Sequence, residues 1–144
     1  MITLPYKTLV AGSAVGSPLV LDEPLSLWGG LDPHTGEIID RRHPQSGQIV
    51  TGRVLFLPSG RGSSSASSIL MEAVHDESAP AAIVMGEADG ILALGAIVAQ
   101  EVYGRSLPVC LLSEADYAAA IQHIFAQPAA TATIKNQQLT ITNG

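Results

Sequence analysis

Six consecutive residues, Gly60-Arg61-Gly62-Ser63-Ser64-Ser65, bring together what is needed to hold an anion and set a hydroxyl beside it. Glycines at 60 and 62 permit backbone angles closed to other residues, so successive N–H groups can converge on one point as an anion nest. Arg61 adds a fixed cation whose fork fits carboxylate or phosphate. The residues that follow open a helix, and a first helical turn has unpaired N–H donors and a partial positive charge. Ser63 then stands next to a bound anion in a field that lowers the cost of its alkoxide. A flexible glycine-serine linker is the other reading of such a run. Apolar segments on both sides argue against it, because they place the loop inside a folded unit.

Such a loop needs a strand to deliver it and a helix to receive it. Residues 53–57, Arg53-Val54-Leu55-Phe56-Leu57, supply a buried apolar run on the near side. Residues 68–74 supply a helical stripe of Ile69, Leu70, Ala73 and Val74 on the far side. Upstream, residues 8–11, 18–21 and 25–28 read as short strands broken by Gly12, Gly16, Pro24 and the Gly29-Gly30 pair. Asp32-Pro33 and Thr35-Gly36 signal a tight turn before an extended segment at 38–40, and residues 48–50 continue the sheet. Downstream the pattern alternates. A strand at 81–85 follows Pro80, and Asp89 caps a helix over 91–102 with Ile91, Leu94, Val98 and Val102 on one face. After a strand at 109–112, a capping box at Ser113 to Asp116 opens a third helix with Tyr117, Ile121, Ile124 and Phe125 on one side. Residues 132–135 and 139–142 close the chain as a hairpin about Asn136-Gln137. Strands first and β-α alternation afterwards predict a single α/β domain over residues 1–144, layered β/β/α.

Composition narrows the partners. The chain has 144 residues, 47% of them hydrophobic and only 14% charged, so the supply of charge for a monomer's surface is sparse and a protein partner is expected. A net charge of -6 and an isoelectric point near 5.0 argue against nucleic acid and against an anionic membrane surface. No apolar run approaches the roughly 20 residues of a membrane helix, and residues 1–7 lack the layout of a signal peptide, so a cytoplasmic protein is expected. Cys110 is the one cysteine. It allows neither an internal disulfide nor a thiolate cluster held by this chain alone, and its strand-like surroundings suit a small core residue.

Two blocks, residues 29–44 (Gly29-Gly30-Leu31-Asp32-Pro33-His34-Thr35-Gly36-Glu37-Ile38-Ile39-Asp40-Arg41-Arg42-His43-Pro44) and Gly60 to Ser65, together resemble the small subunit of aconitase X. Similarity continues through residues 79–83 and 94–98, so it runs from about Tyr6 to Leu112. The resemblance implies a swivelling β/β/α domain like the mobile domain of aconitase. It implies a larger subunit that carries an iron-sulfur cluster and most of the substrate pocket. It implies dehydration of a small anionic hydroxy acid, such as phosphomevalonate or cis-3-hydroxy-L-proline. The serine after Arg-Gly in that family takes a proton from carbon, which falls on Ser63 here; the helix N-terminus, the nest and Arg61 would assist it electrostatically. The cluster iron would act as Lewis acid on the leaving hydroxyl. No cofactor is expected on this chain alone. Ordinary aconitase continues its loop with Arg-Glu after two serines, whereas this chain has Ser65-Ala66, a pattern that suits the aconitase X type.

Arg61, Gly62, Ser64 and Ser65 are the expected substrate contacts around Ser63, with Asp32, Asp40 and His43 drawn from the first block. Asp32 and Asp40 either line the cleft or cap turns through side chain to backbone bonds. His43 before Pro44 is either a site residue or a surface or interface residue. His34, His75 and His123 lie on separate elements without ligand spacing, so no metal site is expected of them. Trp28 suits a core or interface anchor. Two other functions compete with the hydro-lyase reading. One is a mobile or structural carrier domain, with Gly29-Gly30 and His34 as a phosphoryl-carrying layout. The other is a serine hydrolase pairing Ser63 with His43 or His75, although a Gly-x-Ser-x-Gly elbow is missing.

Overall fold

All four residues of Val54–Leu57 are buried, so this strand must be covered on both faces. The computed structural model, which describes residues 1–60 and 65–143, shows what covers it. In chain order the elements are β1 (Ile2–Pro5), β2 (Lys7–Val10), β3 (Ala14–Gly16), β4 (Pro18–Val20), a helical turn α1 (Leu27–Gly30), β5 (Val54–Leu57) and α2 (Ala66–His75). They continue with β6 (Ala82–Met85), α3 (Gly90–Tyr103), β7 (Val109–Leu111), α4 (Glu114–Ala126), β8 (Thr131–Lys135) and β9 (Gln138–Thr142). One sheet has the order β2-β7-β6-β5-β4, parallel except for β2; the other has the order β1-β9-β8-β3 and is antiparallel throughout.

Period-two alternation along the central strands assigns each side chain to a layer. Leu55, Leu57, Ile83 and Met85 face α2 and α3, with Leu70, Val74, Leu92 and Ala96. Val54, Phe56, Ala82, Val84 and Cys110 face the other way, against Ile134, Leu139 and Ile141 of the antiparallel sheet and Ala120 and Ile124 of α4. The result is two stacked sheets with a helix pair outside the larger one, the expected β/β/α layering. The β8–β9 hairpin turns at Asn136 (φ 53) and Gln137 (φ 61), the pair of positive angles that a two-residue turn of matching twist requires.

Several elements differ from the sequence expectation. Residues 25–28 are not a strand: Leu25 makes a lone parallel bridge to Gly60, and the chain then turns through α1 with Gly29 at φ 77. The extended segments at 38–40 and 48–50 reduce to isolated bridges, Leu31 with Ile38 and Glu37 with Ile49, because turns at either end leave no length for a ladder. Edge strands β1 and β3 were not anticipated. The face foreseen for α3 is also wrong. Leu92, Gly95, Ala96 and Ala99 point inward, whereas Leu94 and Val102 are 55% and 60% exposed. The cause is the close approach of α2, since a Cβ on Gly95 would sit 3.0 Å from the Ser67 backbone and only small residues fit that seam. On α4, Ala120 and Ile124 are buried but Phe125 lies outside, 63% exposed.

Candidate active site

The parallel strands β4, β5 and β6 all end at one edge of the larger sheet, and the serine run begins there. After β5 come Pro58, Ser59 and Gly60, half-buried. Gly60 is bridged to Leu25 on one side. On the other side it lies against Asp89, whose carboxylate a Cβ at Gly60 would overlap. Glu87 N–H donates to Pro58 O at 3.0 Å, tying the loop after β6 to the loop after β5. Between them opens a cavity of about 410 Å³ lined by Ser59, Gly60, Glu87, Ala88, Asp89, Gly90 and Ile91. Such carboxyl-edge crevices are where open parallel sheets bind ligands.

Arg61, Gly62, Ser63 and Ser64, which hold the expected base and most of its expected anion contacts, lie outside the described residues. The chain is described again from Ser65, at the N-cap position of α2, with Ser65 O accepting from Ile69 N at 3.2 Å. No acidic side chain occupies the first turn of α2, whereas α4 carries Glu114 and Asp116 there. The first turn of α2 therefore supplies no carboxylate against the helix's positive end, while that of α4 does.

The first block divides between the two ends of the molecule. Asp40 comes to the serine edge: Gly30 packs between Leu25, the bridge partner of Gly60, and the Asp40 side chain. Asp40 Oδ1 accepts from Arg42 N at 3.0 Å, and its carbonyl accepts from His43 N at 3.0 Å. His43 reaches the same edge but is buried, 7% exposed. Gln45 N–H donates to its Nδ1 at 3.0 Å, which fixes the proton on Nε2, and Nε2 donates to Glu23 O at 3.0 Å. Both ring nitrogens are thereby occupied by backbone, and His43 pins the 40–46 turn to the segment after β4. Gln45 adds a second tie to Asp22, through 2.9 and 2.8 Å bonds.

Asp32 goes elsewhere. Its Oδ1 accepts from His34 N at 2.9 Å and its carbonyl from Gly36 N at 2.8 Å, as a turn residue does. Ser78 Oγ donates to Pro33 O at 2.5 Å, which docks this turn beyond the C-terminal end of α2. Ten residues long, α2 spans about 15 Å, and the Ser78 bond sets the turn at its C-terminal end. His34 lies on this far turn. Its Nδ1–H donates to Asp76 Oδ2 at 2.5 Å and its Nε2 faces Glu72 Oε1 at 3.4 Å, while His75 Nδ1 donates to Asp76 Oδ1 at 2.9 Å. The hydrogen bond to Asp76, with Glu72 adding to it, raises the His34 pKa; the bonds from His75 and then His34 lower that of Asp76. Tertiary structure thus gathers a histidine and two carboxylates, His34, Glu72 and Asp76, that sequence spacing left apart, as an exposed cluster tied through Asp76. Two flanking carboxylates repel a phosphoryl group, which counts against His34 as a carrier. A hydrolase pair fares no better, because His43 is occupied and His75 sits at the opposite end of α2 from Ser65.

Sequence reading saw Asp89 only as a helix cap and did not single out Glu87. Asp89 does cap α3, accepting from Ile91 N at 2.9 Å and Leu92 N at 3.3 Å. Its contact with Gly60 is a tertiary event that neither position announces. Cys110 is buried against Tyr6, and burial pushes its thiol up to about 12, so it is a core residue. No helix among the described residues is long and apolar enough to cross a membrane.

Two stacked sheets with an outer helix pair, β5 leading at its carboxyl end to Gly60 and α2 resuming after Ser65, make a layered β/β/α domain. Residues 3–141 match the family model of the aconitase X swivel domain, and the chain belongs to that family. It is 56% identical over 108 residues to the cis-3-hydroxy-L-proline dehydratase of Pseudomonas aeruginosa, spanning 75% of this chain but only 19% of that protein's length. It is 43% identical over 93 residues to the phosphomevalonate dehydratase small subunit of Methanothermobacter thermautotrophicus, covering 65% of this chain and 71% of that subunit. Its fold matches the crystal structure of Thermococcus kodakaraensis aconitase X in its holo-form with a TM-score of 0.81, at 27% identity and over 99% of both chains.

Proposed function

We propose that this chain is the swivelling component of an aconitase X hydro-lyase, and that Ser63 is the base that removes a proton from a carbon of a small anionic hydroxy acid. The observation that carries the reading is what flanks the serine run along the chain. It leaves a strand buried on both faces and enters a helix whose first turn holds no acidic side chain, in a chain that matches the swivel family from end to end. A serine hydroxyl is a poor base without help. Arg61, the nest formed with Gly62, the hydroxyls of Ser64 and Ser65, and the positive end of α2 would hold the substrate anion and stabilise the alkoxide. Asp40, beside Gly30 and Leu25, is the first-block residue kept in this reading; His43 serves by pinning the 40–46 turn, and Asp32 caps a turn at the other end of α2.

This chain does not fit an iron-sulfur cluster, since its one cysteine is buried with its thiol pushed up to about 12. The cluster and most of the substrate pocket belong in this reading to a large partner. Identity favours cis-3-hydroxy-L-proline over phosphomevalonate as the substrate class to test first, at 56% against 43%. The test is reconstitution with the large subunit and a panel of both hydroxy acids. The isolated chain should be folded and inactive. Ser63→Ala should abolish turnover while the complex, followed by gel filtration, stays intact. Full activity in that variant rejects Ser63 as the base.

A further inference from the structure

The C-terminal end of α2 bears two carboxylates where a helix favours cations. Glu72 in the last turn and Asp76 at the C-cap stand four residues apart on one face, where like charges repel and the helix dipole adds to the cost. Arg105 does not relieve them: its Nη1 donates to Val74 O at 2.8 Å and His75 O at 3.2 Å, and its Nη2 pairs with Glu77 at 3.0 Å. The side chain that reaches both carboxylates is His34, 42 residues upstream of Asp76. One ligand atom from each of His34, Glu72 and Asp76 lies within 4.8 Å of the other two.

The turn that carries His34 is fixed apart from the cluster. Asp32 Oδ1 accepts from His34 N at 2.9 Å, Ser78 Oγ donates to Pro33 O at 2.5 Å, and Thr51 Oγ1 donates to Ser78 O at 2.8 Å. Asp76 Oδ2 accepts from His34 Nδ1–H, which leaves the lone pair of the neutral ring on Nε2, the carboxylate–histidine pairing that metal-bound imidazoles use. Nε2 faces Glu72 Oε1 at 3.4 Å. An ion bonded to both at ordinary zinc distances subtends an angle of about 110°, close to tetrahedral. Glu72 and His75 also line a cavity of about 390 Å³, which has room for water or a further ligand on the same ion.

We infer that His34 Nε2 and Glu72 Oε1 form a site for a divalent transition-metal ion of the zinc type, with Asp76 as the positioning carboxylate behind the imidazole. An imidazole nitrogen beside a carboxylate oxygen favours zinc over magnesium, which demands a near-octahedral set of oxygens. The ion offsets the repulsion between Glu72 and Asp76 and joins the Asp32 turn to α2. The inference does not depend on Ser63 as base.

The test is calorimetric titration of the 144-residue chain, purified without a histidine tag and stripped with EDTA, with zinc chloride and separately with magnesium chloride. Competition within the described residues is small, because His43 has both nitrogens occupied, His123 Nε2 is buried and Cys110 is buried. Zinc should bind saturably at about one equivalent and raise Tm, whereas magnesium should do neither. Asp76→Asn should weaken zinc about 10- to 100-fold, and His34→Ala and Glu72→Gln, which each remove a ligand, by at least as much. All three side chains are exposed, and circular dichroism checks that each variant is folded. Long-range ¹H–¹⁵N NMR spectra should show zinc on His34 Nε2 while Nδ1 keeps its proton, a signature that a merely structural role for Asp76 does not produce. The inference is overturned by any of four results: no saturable zinc binding, magnesium binding as tightly as zinc, unchanged zinc affinity in His34→Ala, or coordination through Nδ1.

Discussion

Gly36→Ala separates the two ends of the molecule, because it damages the Asp32 turn without touching the serine edge. Gly36 has φ 77, and its Cβ would overlap Thr51 Oγ1 and lie 2.8 Å from the Ser78 carbonyl. The left-handed angle costs an alanine about 1–2 kcal/mol. Displacing Thr51 breaks its 2.8 Å hydrogen bond to Ser78 O, worth about 1 kcal/mol more. The sum, about 2–3 kcal/mol, corresponds to a fall in Tm of about 4–12 °C for a chain of this size and a urea midpoint lower by about 1 M or more. Circular dichroism during heating and urea titration measures the stability, and turnover of the reconstituted complex, well below the lowered Tm, measures function per folded molecule. Stability should fall and kcat should not, since the turn stands beyond the far end of α2. A drop in kcat that persists under fully folded conditions would place the Asp32 turn in the active site and refute the division drawn here. An unchanged Tm would refute the steric argument itself.

Tyr117 has a buried hydroxyl with no hydrogen-bond partner among the described residues, and burial raises its pKa, so Tyr117→Phe should leave Tm unchanged or raise it; a fall of more than a few degrees would mean a partner exists. The His34–Asp76 pair should stabilise most between about pH 3.8 and 6.5, where the raised imidazole is protonated and the lowered carboxylate ionised. That contribution fades as pH rises through the folded His34 value and as pH falls through the folded Asp76 value, so the Tm gap between the parent and His34→Ala should be widest near pH 5–6; a gap that widens toward pH 9 contradicts it. Cys110 should resist thiol reagents at neutral pH in the folded chain and react once the chain is unfolded, and rapid labelling without unfolding would contradict its burial.

The chemistry-bearing run and its frame were legible before any coordinates, because the signals are local. Val54 to Leu57 is apolar on both faces, Ser113 and Asp89 are caps whose partners lie within three residues, and Asn136-Gln137 separates two alternating segments. Those same signals give the β/β/α order. The errors arose where a neighbour distant in sequence decided the outcome. Leu94 and Val102 carry the periodicity of a core face on α3, yet α2 comes too near at Gly95 for large side chains, and the small face turned inward instead. Residues 25–28 look like a strand, but the one bridge they make among the described residues is that of Leu25 with Gly60.

By itself the sequence determined which residue types stand at Gly60 to Ser65, which strand precedes them and which helix follows, since each depends on side chains a few positions apart. Only the tertiary structure decided that Asp40 lies beside Gly30 and Leu25 while Asp32 lies at the other end of α2, that His43 has both nitrogens occupied, and that Asp89 abuts Gly60. Those outcomes depend on packing between segments tens of residues apart, where the approach of one backbone to another selects among positions that local pattern leaves equal.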